Sequence, residues 1–325
     1  MKAFTYKLAG STEEATSAGT QSAFIAGGTN LIDLMKIDVM DPKELVDINE
    51  LPMRGVTLDA AGLRIGALER MAYVAERPEI AEHFPVISQA LLKSASAQLR
   101  NMASIGGNLM QRTRCGYFRD VIMPCNKRVP GNGCPAFAGE NRMHAILGVG
   151  SACCATHPSD LAVALVALDA SINLQGPKGS RSVKLDDFYL LPNDTPDREH
   201  AIEPGELITA VTVPNPSWYR RSAYLKIRDR ESYEFALCSA AIALDLDGSK
   251  IRDARIAAGG VGTKPWRLPE VAEALIGKQM DQRTFERAAD LATNGARPLS
   301  QNAFKVTLLK RTLVRGLMQF AGGVA

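Results

Sequence analysis

At 325 residues, 46% hydrophobic and 22% charged, the chain is long enough for two or three domains with cores of their own and has an ordinary globular composition. A formal net charge of +3, with no block of Lys or Arg, argues against nucleic-acid binding. The longest apolar run, Leu161 to Leu168, is too short to span a membrane, and the opening Met-Lys-Ala-Phe-Thr-Tyr-Lys-Leu lacks the apolar core of a secretory signal. Export would therefore need a signal carried by another chain.

Residues 22–36 read as an apolar strand running into a glycine pair and then a helix-like segment. Glu44–Ile48 is a second short apolar run, and Gly62–Ala67 alternates like a strand. The spacing of Val86, Ile87, Ala90, Leu91 and Leu99 predicts one helix over 85–99. Past position 110 the composition turns to Gly, Pro and Asn, which reads as a long irregular loop; such loops are uncommon unless something functional holds them. Apolar segments follow at 145–149 and 161–168, then a strand and turn at 171–176, a surface loop at 190–205, and a strand at 206–213. Pro214-Asn-Pro-Ser-Trp is the candidate linker. Beyond it the pattern predicts strands at 222–227, 234–246 and 251–260, with an Asp247-Gly248 turn, and helices at about 269–275 and 303–320. The tail thus reads as a small antiparallel sheet covered by helices, giving domains at 1–215 and 216–325.

Two glycine pairs carry chemistry. Gly27-Gly28 lies where a strand ends, and residues without Cβ atoms let a backbone turn sharply and approach a ligand. Successive amides there can form a concavity for a pyrophosphate, with Thr29 and Asn30 as added donors; the plain alternative is an ordinary turn. Gly106-Gly107, between Ser104 and Asn108, repeats the pattern, and together the pairs suit the two phosphates of a dinucleotide. Neither matches Gly-x-Gly-x-x-Gly. In Thr156-His157-Pro158-Ser159-Asp160 no partner supports an acid/base role for His157. Asp160 reads either as an acceptor from a ribose or ribityl hydroxyl or as a helix N-cap.

Five of the six cysteines fall between positions 115 and 154, and lone Cys238 sits in an apolar run as a small buried hydrophobe. Cys115, Cys125, Cys134 and Cys153 are separated by nine, eight and eighteen residues. No Cys-x-x-Cys occurs, so spacing selects neither zinc nor iron–sulfur, and buried thiols are the plain alternative.

Taken in order, Ile-Ala-Gly-Gly-Thr-Asn-Leu, Ser-Ile-Gly-Gly-Asn-Leu, His-Pro-Ser-Asp, Pro-Gly-Glu-Leu-Ile and Lys-Ile-Arg-Asp-Arg-Glu-Ser-Tyr resemble the FAD-binding medium subunits of the molybdenum hydroxylases, the xanthine dehydrogenase family. The likeness covers essentially the whole chain. The cysteine loop is similar to that of the medium subunit of heterotrimeric periplasmic aldehyde oxidoreductases, with 4-hydroxybenzoyl-CoA reductase as the near alternative and a stand-alone flavin reductase as the rival outside such complexes.

The resemblance implies an α+β architecture: a two-lobed FAD-binding fold of the vanillyl-alcohol oxidase (PCMH) type, followed by a carbon monoxide dehydrogenase flavoprotein-like C-terminal domain. It implies that FAD is held by Ala26, Gly27, Gly28, Thr29, Asn30, Leu31 and Ile32, by Ser104, Ile105, Gly106, Gly107 and Asn108, and by Asp160, Ile208 and Lys226. A 4Fe-4S cluster would be held in the loop at about 112–154 by Cys115, Cys125, Cys134 and Cys153, with Cys154 a bystander. The implied partners are a large molybdenum-cofactor subunit, a small 2Fe-2S subunit and an external electron acceptor. The implied compartment is the periplasm, reached on a partner's export signal, with the cytoplasm as the alternative. No catalytic side chain is implied in this chain, because the cofactor supplies the redox chemistry.

Overall fold

The computed structural model describes residues 1–193 and 195–322, which build three sheets. The first lobe is a parallel sheet of β1 (Thr5–Leu8), β3 (Glu44–Asp47) and β2 (Ser22–Ile25), with β3 central. Leu45 and Val46 of β3 are buried, whereas β1 is an exposed edge, which is why β3 shows as an apolar run and β1 does not. Strand β2 delivers the chain into the first glycine turn and the helix Leu31–Lys36.

The second lobe is an antiparallel sheet in the order β4 (Val56–Asp59), β5 (Gly62–Gly66), β8 (Leu207–Val213), β6 (Ser171–Gly176), β7 (Gly179–Lys184). Ile172 and Leu174 of β6 point into the core, and the exposed polar edge β7 carries no apolar signal. Short helices pack on this sheet, among them Met71–Glu76 and Pro78–His83, whose six residues each are too few for the periodicity to register. The single helix expected over 85–99 is two, Pro85–Leu92 and Ala97–Met102. Ala95 takes a left-handed backbone (φ 47°), and Ser96 caps the new helix by accepting from the Leu99 amide at 3.3 Å.

The C-terminal sheet runs β12 (Trp266–Arg267), β11 (Lys250–Gly259), β10 (Cys238–Asp247), β9 (Ser222–Ile227), covered by the helices Pro269–Leu275, Gln282–Leu291 and Phe304–Ala321. Strand β10 starts at Cys238 rather than 234, because Tyr233 turns left-handed (φ 52°) and residues 234–237 are loop. Cys238 itself is fully buried. Helix Gln282–Leu291 escapes the sequence pattern because it buries only Phe285, Ala288 and Ala289. Among the described residues no helix is long and apolar enough to cross a membrane.

One helix joins the second lobe to the C-terminal domain. All eight residues of Asp160–Ala167 are buried, and at Gly259 of β11 a Cβ would come within 2.6 Å of Val163 Cγ2. At its start Asp160 Oδ2 lies 2.7 Å from Lys226 Nζ of β9, and Oδ1 accepts from the Tyr224 hydroxyl at 2.7 Å. Lys226 also donates to the Lys93 carbonyl at 3.0 Å, and the Tyr224 hydroxyl shares a 2.8 Å bond with Ser239. The side chains of Lys226 and Asp160 are 1% and 7% exposed, so neither charge can fall back on water if its partner is lost. Lys226→Met should therefore destabilise the chain by about 3–5 kcal/mol in urea unfolding, and Asp160→Leu/Lys226→Met should recover most of that loss. A double variant no better than the single would show that the pair's charges are not what matters.

Candidate functional site

The two lobes enclose a cleft of about 490 Å³. Its floor holds Ala26, Gly27, Gly28, Thr29, Asn30 and Leu31 from the first turn, Ser104, Gly106 and Gly107 from the second, and Ile208 from β8. Thr29, Asn30 and Gly107 also line a smaller chamber of about 220 Å³, shared with Asn108, Asp160 and Lys226. Of the fifteen residues expected to hold FAD, only Ile32 and Ile105 face neither space: Ile105 is core, and Ile32 packs back toward Gly28.

The glycine turns do different work. Among the described residues the amides of Gly27 to Leu31 make no hydrogen bond within the chain, so five successive donors stand free beside the cleft. Asn30 accepts from the Arg112 amide at 3.2 Å, while its buried Nδ2 has no partner. Orphaned donors of this kind suit a phosphate-bearing ligand. In the second turn every comparable amide is used. Ile105 donates to Glu69 O at 2.9 Å, Gly106 to Ala67 O at 2.8 Å, and Gly107 to Ser104 Oγ at 3.1 Å. The expectation of two equivalent phosphate cradles is corrected in this respect: Gly106 is needed because a Cβ would press on Ala67 at 3.1 Å. In the first turn Gly27 is the close-packed residue, since a Cβ there would collide with the Met102 carbonyl. Gly28 is required for its positive φ of 69°, and its Cβ would point at Ile32 and Ile25 rather than at phosphate oxygens.

Asp160 does not cap the helix. Ser159 does, accepting from the Ala162 amide at 3.0 Å. Both carboxylate oxygens of Asp160 are engaged by Lys226, Tyr224 and Ser94, so its placement in the smaller chamber comes from a domain-joining network.

The segment read as a surface loop at 190–205 in fact lines the cleft with Asp197 to His200, Ile202 and Glu203. Its polarity masked that role. Burial opposes ionisation of Glu199, but Lys127 and Arg112 outweigh it and hold the carboxyl down at about 2. Burial keeps His157 and His200 neutral, at about 3 and 4. His157 stacks edge-on against Tyr189 at 4.5 Å, its Nδ1 accepts from the Ser159 amide, and its Nε2 is buried without a partner, which is a structural setting.

Cys115, Cys125, Cys134 and Cys153, far apart in the chain, line one void of about 10 Å³ together with His144. His144 Nε2 lies 3.2 Å from Cys115 Sγ, and the Ala155 amide donates to Cys153 Sγ at 3.4 Å. Burial pushes the Cys115 thiol up to about 11. Cys154 does not line the void but shares a hydrogen bond with Cys134, which draws Cys134 down and pushes Cys154 up. Four gathered soft donors with an amide aimed at one sulfur fit a thiolate-bound centre in kind. Among the described residues no group of three His, Cys, Asp or Glu side chains is arranged to hold a single metal ion.

Residues 2–216 match the FAD binding domain in molybdopterin dehydrogenase, and residues 223–320 match the CO dehydrogenase flavoprotein C-terminal domain. The chain belongs to the FAD-binding medium subunits of the molybdenum hydroxylase family. It is 47% identical to the aldehyde oxidoreductase FAD-binding subunit PaoB of Escherichia coli K12, covering 98% of each chain. It is 30% identical to the glyceraldehyde dehydrogenase medium chain of Sulfolobus acidocaldarius, covering 92% of this chain and 90% of that one. A crystal structure of the Cu,Mo-CO dehydrogenase superposes with a TM-score of 0.76 at 25% identity, over 98% of this chain and 97% of that one. These relatives are subunits of oxidoreductases, and the chain shares their FAD-binding domain and α+β architecture.

Two outcomes follow for family members with this cleft. Gly27→Ala should lose most of its FAD, whereas Gly28→Ala should keep it and lose about 1–2 kcal/mol of stability, the cost of a Cβ at positive φ. Flavin released per mole of protein and urea unfolding check both. The second outcome concerns acid. His157 and His200 titrate lower when folded than the ordinary 6.5, so the unfolded chain binds more protons and stability falls as pH drops from about 6.5 toward 4. Thermal unfolding should record that fall, and His200→Gln should flatten part of it.

Proposed function

We propose that this chain is the FAD- and 4Fe-4S-carrying electron-transfer subunit of a molybdenum-dependent aldehyde oxidoreductase, working with a large molybdenum-cofactor subunit and a small 2Fe-2S subunit. The observation that carries the reading is the coincidence of two things: near-complete coverage of an aldehyde oxidoreductase FAD-binding subunit at 47% identity, and four separated cysteines around one void. FAD and an iron–sulfur centre, when bound, supply the electron exchange that lets such a subunit accept electrons from its 2Fe-2S partner and pass them to an external acceptor.

This chain's own residues bind and orient. The free amides of Gly27 to Leu31 and the orphaned Asn30 Nδ2 would take the pyrophosphate. The second turn shapes the cleft wall, Ile208 gives it an apolar surface, and Lys226 borders the smaller chamber while neutralising Asp160. Cys115, Cys125, Cys134 and Cys153 would hold the cluster, with the Ala155 amide stabilising sulfur charge. The chain's own side chains take no acid/base role in this reading: His157 is bonded through Nδ1 to the Ser159 amide, and His200 lines the cleft as a neutral imidazole.

Flavin bands over a broad iron–sulfur shoulder, with about four irons per chain, are expected of the purified protein. The isolated chain should be reduced by dithionite but stay oxidised with aromatic aldehydes until the partner subunits are added. Cys→Ser at 115, 125, 134 or 153 should abolish iron binding, while Cys154→Ser should retain it. Iron loss in Cys154→Ser with retention in Cys153→Ser reverses the ligand choice, and flavin bleaching by aldehyde with this chain alone overturns the subunit reading.

A further inference from the structure

The end of the free-amide turn and the helix that follows it are docked on the cysteine loop by Asn30, Asp33 and Leu34. Asn30 Oδ1 accepts from the Arg112 amide at 3.2 Å. Asp33 accepts from Arg114 Nη1 at 2.8 Å and from Arg119 Nη1 and Nη2 at 2.8 and 3.0 Å, and these two arginines flank Cys115 in sequence. Leu34 is fully buried against Phe118 and Cys125. Arg112 in turn lies over the Phe118 ring at 4.6 Å. Asp33 itself lines neither the cleft nor the smaller chamber.

We infer that Asp33 is a positioning residue through which the cysteine loop sets the geometry of the FAD-binding turn. A two-pronged Arg119–carboxylate contact fixes direction as well as distance, which a lysine or an amide cannot reproduce. The bonds run from residues beside Cys115 to the residue two places after Leu31, the last free amide. A cysteine loop held by its bound centre therefore presents Arg114 and Arg119 rigidly, Asp33 follows, and the five amides stay in their binding arrangement. A loosened loop releases Asp33 and lets the turn relax. Binding at the two sites is then coupled, and coupling between binding sites is reciprocal. The inference rests on the iron–sulfur reading of the cysteine loop proposed above.

The test uses the full multi-subunit enzyme, depleted of flavin, with FAD affinity read by quenching of flavin fluorescence and iron measured in parallel. Removing iron with oxidant and chelator, then reducing the thiols, should weaken FAD binding by about tenfold, within the range of ordinary coupling. Asp33→Asn should keep its iron, bind FAD about as weakly as the stripped wild type, and no longer respond to iron removal. Arg119→Lys should behave alike, because a single-point donor cannot replace the fork. Melting temperature is followed in the same samples, and a general loss of stability would leave the response to iron intact. Equal FAD affinity in loaded and stripped wild type overturns the inference, as does an Asp33→Asn variant that still responds. If the wild type carries no iron, the cluster reading fails instead, and Asp33→Asn must still weaken FAD binding for Asp33 to keep its role.

Discussion

Lys226 and Asp160 form the contact on which the arrangement of domains depends. Removing two charges from water is costly, and here the cost is offset by a full set of partners: Lys93 O for the ammonium, and Tyr224 and Ser94 for the carboxylate. Those partners come from three places, the break after helix Pro85–Leu92, the start of Asp160–Ala167, and strand β9. The C-terminal sheet is thus tied to the second lobe at the wall of the smaller chamber. A network that is satisfied only when all three are in place specifies one arrangement of the domains.

The cleft divides its tasks between backbone and side chain. The first turn leaves its amides free because Gly27 allows the chain to press against the Met102 carbonyl and Gly28 allows the positive φ that follows. The second turn uses up its amides on Glu69, Ala67 and Ser104 and becomes a rigid wall. Two similar sequences therefore reach opposite hydrogen-bonding states. What separates them is the neighbouring strand: β5 runs on into Ala67, whose carbonyl accepts from the second turn, and among the described residues no strand meets the first turn in this way.

The cysteine loop has little regular structure, yet Cys125, Cys153 and Cys154 are buried, and Lys305 of the last helix reaches in to donate to Met143 O, His144 O and Gly260 O. Asn302 and Asn141 add further bonds across the same seam. The loop bonds part of its backbone within itself, takes further donors from the C-terminal domain on one side, and is held on the other by Asp33 through the Arg114 and Arg119 side chains. That position, between the FAD turn and the tail, makes its internal state relevant to both.

The order of the five motifs, the strand–glycine–helix passage at 22–36, and the clustering of cysteines were determined by the sequence alone, because each depends on residues close together or on a pattern of types. The strong strands β3, β5, β8 and β11 were legible for the same reason: each buries alternate or successive apolar side chains. Only the tertiary structure decided the rest. It broke 85–99 at Ala95, drew the polar 190–205 segment into the cleft, gave Asp160 to Lys226 instead of to a helix cap, and gathered four distant cysteines around one void. Each of these outcomes depends on a partner many residues away, and local pattern carries no record of which distant group will satisfy a buried charge, amide or thiol.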